Sequence, residues 1–174
     1  MSKVITFSRV FPAYHPKAGQ PTYFVEKLWK SLGNLDYQWD LVKVLQVSDA
    51  LNVKMPYSEF EPKHHTIRAG NRWKVGDKFS PRVWSGKPYN SKQIIIAPDI
   101  EIKKIWDVKV EKEVYYNENS GVNVITKISI NGAHKTANYE PLAKNDGLSL
   151  DDLCDWFAKP MIGQIICWNE NIEY

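Results

Sequence analysis

The chain has 174 residues, of which 43% are apolar and 25% are charged, and these proportions are those of a folded globular domain. With 9 Gly, 10 Pro and a net charge of +3, the composition excludes collagen-like, disordered and strongly polyionic proteins. The two cysteines, Cys154 and Cys167, lack Cys-x-x-Cys spacing, which argues against a zinc cluster or a disulfide scaffold and favours the reducing cytoplasm. No signal-peptide core and no apolar stretch of roughly 20 residues is present, so we expect a cytoplasmic protein that does not contact a membrane.

The first elements are a strand and an amphipathic helix. Residues 3–7 (KVITF) predict a short strand, and a loop rich in Pro and Gly follows it as far as Pro21. A helix is predicted to begin at Pro21 and to end at Gly33, with an i,i+4 pair between Glu26 and Lys30. Its apolar residues recur at helical spacing, and they are Phe24, Val25, Leu28, Trp29 and Leu32.

The next part of the chain is less regular. Residues 37–54 are apolar with mixed periodicity, and they predict either a helix or a buried strand. Residues 55–62 predict a loop. We interpret residues 21–60 as a helical elaboration of a single domain that comprises residues 1–174.

Strands dominate the middle of the sequence. A Gly76-Asp77 turn precedes a strand that ends near residue 84, the connector 85–92 follows, and residues 93–98 (QIIIAP) predict a fully buried strand. Residues 99–114 alternate imperfectly, which indicates a bulge near Lys103 and Lys104. We expect a hairpin loop at 115–121, then a strand at 122–130 and a turn at Asn131-Gly132.

A helix and a last strand complete the pattern. Ser149 and Asp152 form a capping box before a helix that Pro160 terminates, and residues 163–170 predict the final strand. Short strands with a helix at each end of the sheet region indicate an α+β fold, a small mixed or antiparallel β-barrel with flanking helices.

Positive charge is concentrated in one segment. Residues 63–92 carry a net charge of +7, and the rest of the chain carries −4. Arg and Lys interleaved with aromatic rings are typical of surfaces that bind phosphates and unstacked bases. The predicted nucleic-acid-binding residues are Arg72, Trp73, Lys74, Arg82, Trp84, Lys87 and Tyr89. The alternative is a solvated strand pair whose Trp residues belong to the core.

The same segment resembles a known family. Lys63-His64-His65-Thr66-Ile67-Arg68, followed by Trp73-Lys74-Val75-Gly76-Asp77, resembles the signature of ASCH domains, which are PUA-like small barrels. Asn145-Asp146-Gly147-Leu148-Ser149 is similar to the late acidic residue and the following helix of that family. The resemblance covers the first strand and most of residues 62–168.

The resemblance implies two kinds of activity. Small bacterial ASCH proteins are amidohydrolases that remove the acetyl group from N4-acetylcytidine, with a Lys as proton acceptor, a Thr as nucleophile and a Glu as proton donor. By motif position these roles fall to Lys63, Thr66 and Asp146. Other ASCH proteins resemble RNA-binding or RNA-cleaving modules. The implied partner is therefore RNA or a modified nucleoside.

The residue types suit this chemistry without the family. A Lys amine acts as a base near neutral pH only when burial or a nearby cation such as Arg68 lowers its pKa. Thr66 and Arg68 share one face of a strand, so the catalytic candidates are Lys63, Thr66, Arg68 and Asp146, with Arg68 stabilising an oxyanion or a phosphate. These residues equally suit a non-catalytic RNA-binding module, or a metal-independent ribonuclease in which Lys63 and Arg68 hold the scissile phosphate.

We expect neither a metal nor another cofactor. His64 and His65 are neighbours on a predicted strand and would point to opposite faces, which leaves only His15 and His134 as further ligands. Neither Cys154 nor Cys167 lies in a basic segment, so we expect both to be small buried apolar residues rather than nucleophiles.

Overall fold

The fold is described from a computed structural model that places residues 3–33, 41–54, 56–119, 121–134 and 139–174. The described strands form one four-stranded sheet and one five-stranded sheet. Their pairings do not close either sheet into a barrel. The predicted α+β class is therefore confirmed, and the closed barrel is not.

The first sheet is built around one long strand. Strand β3 (Lys78–Trp84) pairs in parallel with β1 (Lys3–Thr6) and antiparallel with β4 (Gln93–Ile95) and β5 (Ile100–Glu101). The prediction of a fully buried strand at 93–98 was wrong, because β4 is a short edge strand and Ile95 is 46% exposed. Burial begins only after the strand ends, at Ile96 and Ala97.

The second sheet is entirely antiparallel. Its order is β2 (His65–Ala69), β9 (Met161–Cys167), β6 (Lys104–Asn117), β7 (Gly121–Ile130) and β8 (Ala133–His134). The inner strand β9 lies between β2 and β6, and its residues 163–167 are buried. Its Gly163 permits a close approach to β2, because a Cβ there would lie 2.1 Å from the Arg68 carbonyl oxygen.

Two expectations about strand ends need correction. The irregularity at Lys103 and Lys104 is not a bulge, since β5 ends at Glu101 in the first sheet and β6 begins at Lys104 in the second. The chain passes from the first sheet to the second at this point. A change of sheet interrupts the alternation of apolar and polar residues just as a bulge does. The predicted loop at 115–121 is shorter than expected, because β6 extends to Asn117 and β7 begins at Gly121.

Within the described ranges four helices flank the sheets: α1 (Phe24–Leu32), α2 (Leu41–Leu51), α3 (Glu140–Asn145) and α4 (Leu150–Trp156). A 3-10 turn at Tyr57–Glu59 lies within the predicted loop. Helix α2 resolves the open choice for residues 37–54 in favour of a helix, and residues 37–40 lie outside the described ranges. Ser149 caps α4 as predicted, since its Oγ accepts a hydrogen bond from the Asp152 amide at 3.2 Å.

Helix α1 starts later than predicted. Tyr23 has φ 57°, a left-handed conformation that cannot belong to an α-helix, so the helix begins at Phe24 rather than at Pro21. The predicted Glu26–Lys30 pair is not present. Glu26 is buried, and its Oε1 accepts a hydrogen bond from the Lys54 amide at 2.9 Å.

Aromatic side chains from both sheets join the core. Phe79 of β3 packs 5.8 Å from Trp168, which follows β9, and Phe7 lies 6.3 Å from the same indole ring between centroids. The Trp29 indole of α1 donates a hydrogen bond of 2.6 Å to the Ile96 carbonyl, so this helix is tied to the first sheet. The candidate site lies beside these contacts, where residues of α1, β1 and β2 line one cavity.

Candidate functional site

A cavity of about 210 Å³ lies at this junction, and it gathers residues that are far apart in sequence. Its lining includes Lys63, Thr66, Arg68, Trp84, Tyr89 and Asp146. All four predicted catalytic residues and two of the predicted nucleic-acid-binding residues therefore meet at one place. The remaining wall is mainly aromatic and includes Phe7, Phe24, Trp156 and Phe157. An apolar wall with a few convergent polar groups is typical of ligand sites.

Backbone hydrogen bonds from two helical segments fix Lys63. Its amide donates to the Lys27 carbonyl of α1 at 2.9 Å, and the next amide, from His64, donates to the Asn145 carbonyl at 2.7 Å. Gly147 completes the support with φ 74°, and a Cβ at this position would lie 3.3 Å from the Lys63 Cβ. Lys63 is therefore held against the turn that carries Asp146.

The Lys63 side chain forms a buried ion pair at the base of the cavity. Lys63 is 1% exposed, and its Nζ donates to Asp146 Oδ1 at 2.7 Å and to the Asp146 backbone carbonyl at 2.5 Å. The ammonium also lies 4.3 Å from the centre of the Phe24 ring, a cation–π contact. Both hydrogen bonds of this amine therefore go to a single residue.

Burial controls the proton affinity of this amine. Desolvation lowers the pKa of Lys63 to about 8, although the Asp146 carboxylate opposes this shift. Arg68 and Lys27 lower the pKa of Lys63 further through charge repulsion. The amine therefore loses its proton within about one pH unit of neutrality, which agrees with the expectation for a lysine base.

Asp146 is a carboxylate shared by two partners. Burial raises the pKa of Asp146, but the Lys63 charge and the His65 ring outweigh burial and hold this pKa below its usual range. His65 Nδ1 lies 3.3 Å from Asp146 Oδ1, and desolvation lowers the pKa of this fully buried imidazole. At neutral pH Asp146 is therefore ionised and His65 is neutral. An ionised Asp146 has no proton to give to a leaving group.

Thr66 and Arg68 lie along β2, and both line the cavity, as their shared strand face predicts. Thr66 is 5% exposed. Arg68 Nη2 donates to the Thr6 carbonyl of β1 at 2.5 Å, and this bond connects the two sheets. Its buried Nε has no hydrogen-bond partner among the described residues, so a donor remains for a ligand oxygen.

The predicted nucleic-acid-binding residues divide into three groups. Trp84 and Tyr89 line the cavity, with ring centroids 5.4 Å apart, and Lys87 lies exposed on the same connector. Arg72 and Lys74 are exposed and are not part of the cavity lining. Arg82 is half-buried beside Ser80 and Gln93.

Trp73 belongs to the core instead. It is 3% exposed, its ring packs edge-on against Phe79, and its backbone exchanges hydrogen bonds with the Gln164 side chain. No face of the Trp73 indole is open to a base, so the alternative interpretation holds for this residue. The sequence pattern could not show this burial, because alternating Arg and Trp residues occur in cores and on surfaces alike.

Neither cysteine has the surroundings of a nucleophile. Desolvation raises the pKa of both Cys154 and Cys167, and neither forms a disulfide. Among the described residues no group of three or more His, Cys, Asp and Glu is placed to hold a metal ion.

Three features of the site were not predicted from the sequence. Phe24 was expected only on the apolar side of α1, Trp156 was not a candidate, and the role of His65 beside Asp146 depends on a contact between distant segments. Lys27 supports the Asp146-Gly147 turn through a 2.7 Å hydrogen bond to the Gly147 carbonyl. No local pattern marks such a residue.

Fold and site together define an α+β protein with a buried lysine–aspartate pair at the base of a small, largely aromatic cavity. Comparison of the chain with protein-family models, with curated proteins and with solved structures gives no match. None of the helices in the described ranges has both the length and the apolar character needed to cross a membrane.

Proposed function

We propose that the chain binds RNA or a modified nucleoside through the cavity around Lys63, and that it hydrolyses the amide of an N4-acylated cytidine there. The observation that carries this proposal is the convergence of Lys63, Thr66, Arg68 and Asp146 on one cavity. The resemblance of the residues 63–77 to the ASCH signature, and with it a PUA-like relationship, supports the same proposal. The compartment we propose is the cytoplasm.

The size and chemistry of the cavity suit one base. Its volume of about 210 Å³ is below the roughly 300–1,000 Å³ that drug-sized ligands occupy, so a base or a small nucleoside fills it. Aromatic side chains such as Phe24 and Trp84 offer flat apolar contact to a base. The Arg68 guanidinium supplies donors for a carbonyl or phosphate oxygen.

The hydrogen bonds of Lys63 are compatible with a role as proton acceptor. A neutral amine retains two N–H donors and one lone pair, and the structure supplies two acceptors, both on Asp146. Deprotonated Lys63 therefore keeps both hydrogen bonds and has its lone pair free for the Thr66 hydroxyl proton. The role of Asp146 in this arrangement is to orient the amine.

The proposed reaction uses these residues in the following way. Thr66 Oγ1 attacks the acetyl carbon while Lys63 takes the hydroxyl proton, and Arg68 stabilises the oxyanion. The C–N bond breaks, and the cytosine amino group leaves with the proton that Lys63 had accepted. Water then hydrolyses the acetyl-Thr66 ester and releases acetate. We assign the proton transfer to Lys63 rather than to Asp146, since the carboxyl group is ionised.

A non-catalytic RNA-binding module is the second candidate. It is favoured by the ionised state of Asp146, which removes the proton donor that the resemblance implies. In this alternative the buried pair serves the fold and the positive segment binds phosphates, so the affinity for RNA falls steeply with salt. A metal-independent ribonuclease remains the third candidate, with Lys63 and Arg68 at the phosphate.

The pH dependence of N4-acetylcytidine hydrolysis tests the proposal. Because deprotonated Lys63 is the base and its pKa is about 8, we expect the rate to rise about tenfold per pH unit below pH 8 and to level off above it. Chromatography of cytidine released at pH 6, 7, 8 and 9 measures this profile. Absence of cytidine release at every pH would move the function to the binding module.

A further inference from the structure

The connector between β3 and β4, residues 85–92, is a closed turn rather than an open loop. The Ser85 amide donates to the Lys92 carbonyl at 2.9 Å, which joins the two ends. The Gly86 amide donates to Ser91 Oγ at 3.0 Å, and the Asn90 amide donates to the Lys87 carbonyl at 3.2 Å. These bonds close the turn that carries Tyr89.

Tyr89 has an unusual backbone and an unusual exposure. Its φ is 65°, in the left-handed region that bulky side chains rarely adopt, and it is 88% exposed. The fold gains little burial from such a residue, and a Gly or Asn would suit the backbone better. Strained residues of this kind are concentrated at ligand sites.

Tyr89 also lies beside a second ring at the cavity. The Trp84 and Tyr89 ring centroids are 5.4 Å apart with an interplanar angle of 49°, and both residues line the cavity. Trp84 is half-buried and Tyr89 is exposed, so the two rings lead from the cavity wall to the surface. A base in the cavity would contact Trp84, and the outer part of the Tyr89 ring would remain free.

The surrounding charge fits a polyanion. Lys87 and Lys92 are exposed at the two ends of the connector, and the sequence has no acidic residue between Lys78 and Pro98. Positive groups beside exposed aromatic rings are the combination with which proteins bind single-stranded nucleic acid.

We propose that the ligand is a single-stranded nucleic-acid segment rather than a free nucleoside, with one base in the cavity and the adjoining base stacked on Tyr89. Lys87 and Lys92 then contact the phosphates that flank the stacked base. This inference rests on the proposed function, since the cavity base is the one that the proposal assigns to Lys63 and Thr66. It specifies single-stranded nucleic acid as the substrate class and assigns the connector 85–92 to binding the adjoining base.

Calorimetric titration with two probes tests the inference. The probes are N4-acetylcytidine and an RNA trinucleotide with N4-acetylcytidine between two adenosines, both at pH 6, where Lys63 is protonated and hydrolysis is slow. We expect the trinucleotide to bind at least about fivefold more tightly, because loss of one stacked base costs about 5- to 150-fold in affinity.

Tyr89→Gly separates binding from folding. Gly accepts the positive φ, so the Tm of the variant should be unchanged or higher, while its affinity for the trinucleotide falls about 5- to 150-fold. Its affinity for N4-acetylcytidine should fall by a smaller factor, because Tyr89 also lines the cavity but the stacked base is absent from this probe. The control is Tyr116→Ala, since Tyr116 is 73% exposed on β6 and is not part of the cavity lining, and it should leave both affinities unchanged.

The outcomes distinguish this inference from the proposed function. Equal affinity for the two probes, or an equal loss of both in Tyr89→Gly, overturns the inference and leaves the nucleoside site in place. Failure of both probes to bind the wild-type protein overturns the inference and the proposed function together.

Discussion

Replacement of Lys63 by Met is expected to lower the free energy of unfolding by about 3–5 kcal/mol, the cost of leaving one partner of a buried ion pair uncompensated. The Asp146 carboxylate would stay buried after this change, and its charge partner at 2.7 Å would be gone. Urea unfolding of the wild type and of Lys63→Met measures the difference. A stability loss below about 1 kcal/mol would show that the pair is solvated rather than buried.

Two further variants make this test specific. The double variant Lys63→Met with Asp146→Asn removes both charges, so it should recover most of the lost stability. Lys144→Met is the matched control, because Lys144 forms an exposed pair with Glu61 at 3.4 Å. Exposed pairs of this kind contribute less than about 1 kcal/mol, and we expect a correspondingly small effect.

Replacement of Thr66 by Val is expected to reduce the rate of N4-acetylcytidine hydrolysis by at least about a thousandfold, because it removes the nucleophile and retains the shape of the side chain. Thr66 is nearly buried on β2, where Val is a favourable strand residue, so the fold should be unchanged. Rates of cytidine release for the two proteins, at matched substrate concentrations, measure the effect.

The split between rate and affinity identifies the role of Thr66. We expect Thr66→Ser to retain measurable hydrolysis, because its hydroxyl replaces the nucleophile. The affinity of Thr66→Val for N4-acetylcytidine should stay within about threefold of the wild-type value, since a nucleophile acts in the reaction rather than in binding. A comparable rate in Thr66→Val and in the wild type would remove Thr66 from the mechanism.

Elements with a clear apolar period could be predicted from the sequence. Phe24, Val25, Leu28 and Trp29 are all buried, so the periodicity of α1 corresponds to its packing.

The mixed pattern of residues 37–54 has a physical cause. Helix α2 buries Val44, Val47 and Leu51 at helical spacing, while Leu41, Val42 and Leu45 are about half exposed. Exposed apolar residues conceal the period on which such a prediction depends.

Other features depend on contacts between distant segments. The sequence shows that regular alternation is broken near Lys103, and only the three-dimensional pairing shows that the chain moves from one sheet to the other. Trp73 and Trp84 occur in the same basic segment, yet the first lies in the core and the second lies at the cavity. Trp73 lies in the segment between β2 and β3 and packs against Phe79, whereas Trp84 ends β3, and a single sequence does not record these tertiary contacts.

The residues of the candidate site could be predicted from the sequence, but their protonation states could not. The resemblance to the ASCH signature led to Lys63, Thr66 and Asp146, the strand face added Arg68, and the structure places all four around one cavity. The ionised state of Asp146 follows from its distances to Lys63 and His65, which sequence spacing does not give. For this reason the proposed proton donor to the leaving amino group is Lys63 rather than Asp146.

The most direct test of the central claim is an NMR titration of the ¹⁵N-labelled protein with N4-acetylcytidine at pH 6. If the cavity around Lys63 is the ligand site, the largest shifts will occur at the amides of Thr66 and Arg68 and at the indole N–H of Trp84. Shifts confined to the groove lined by Phe11, Tyr23 and Phe60, or a spectrum that does not change, would contradict the claim.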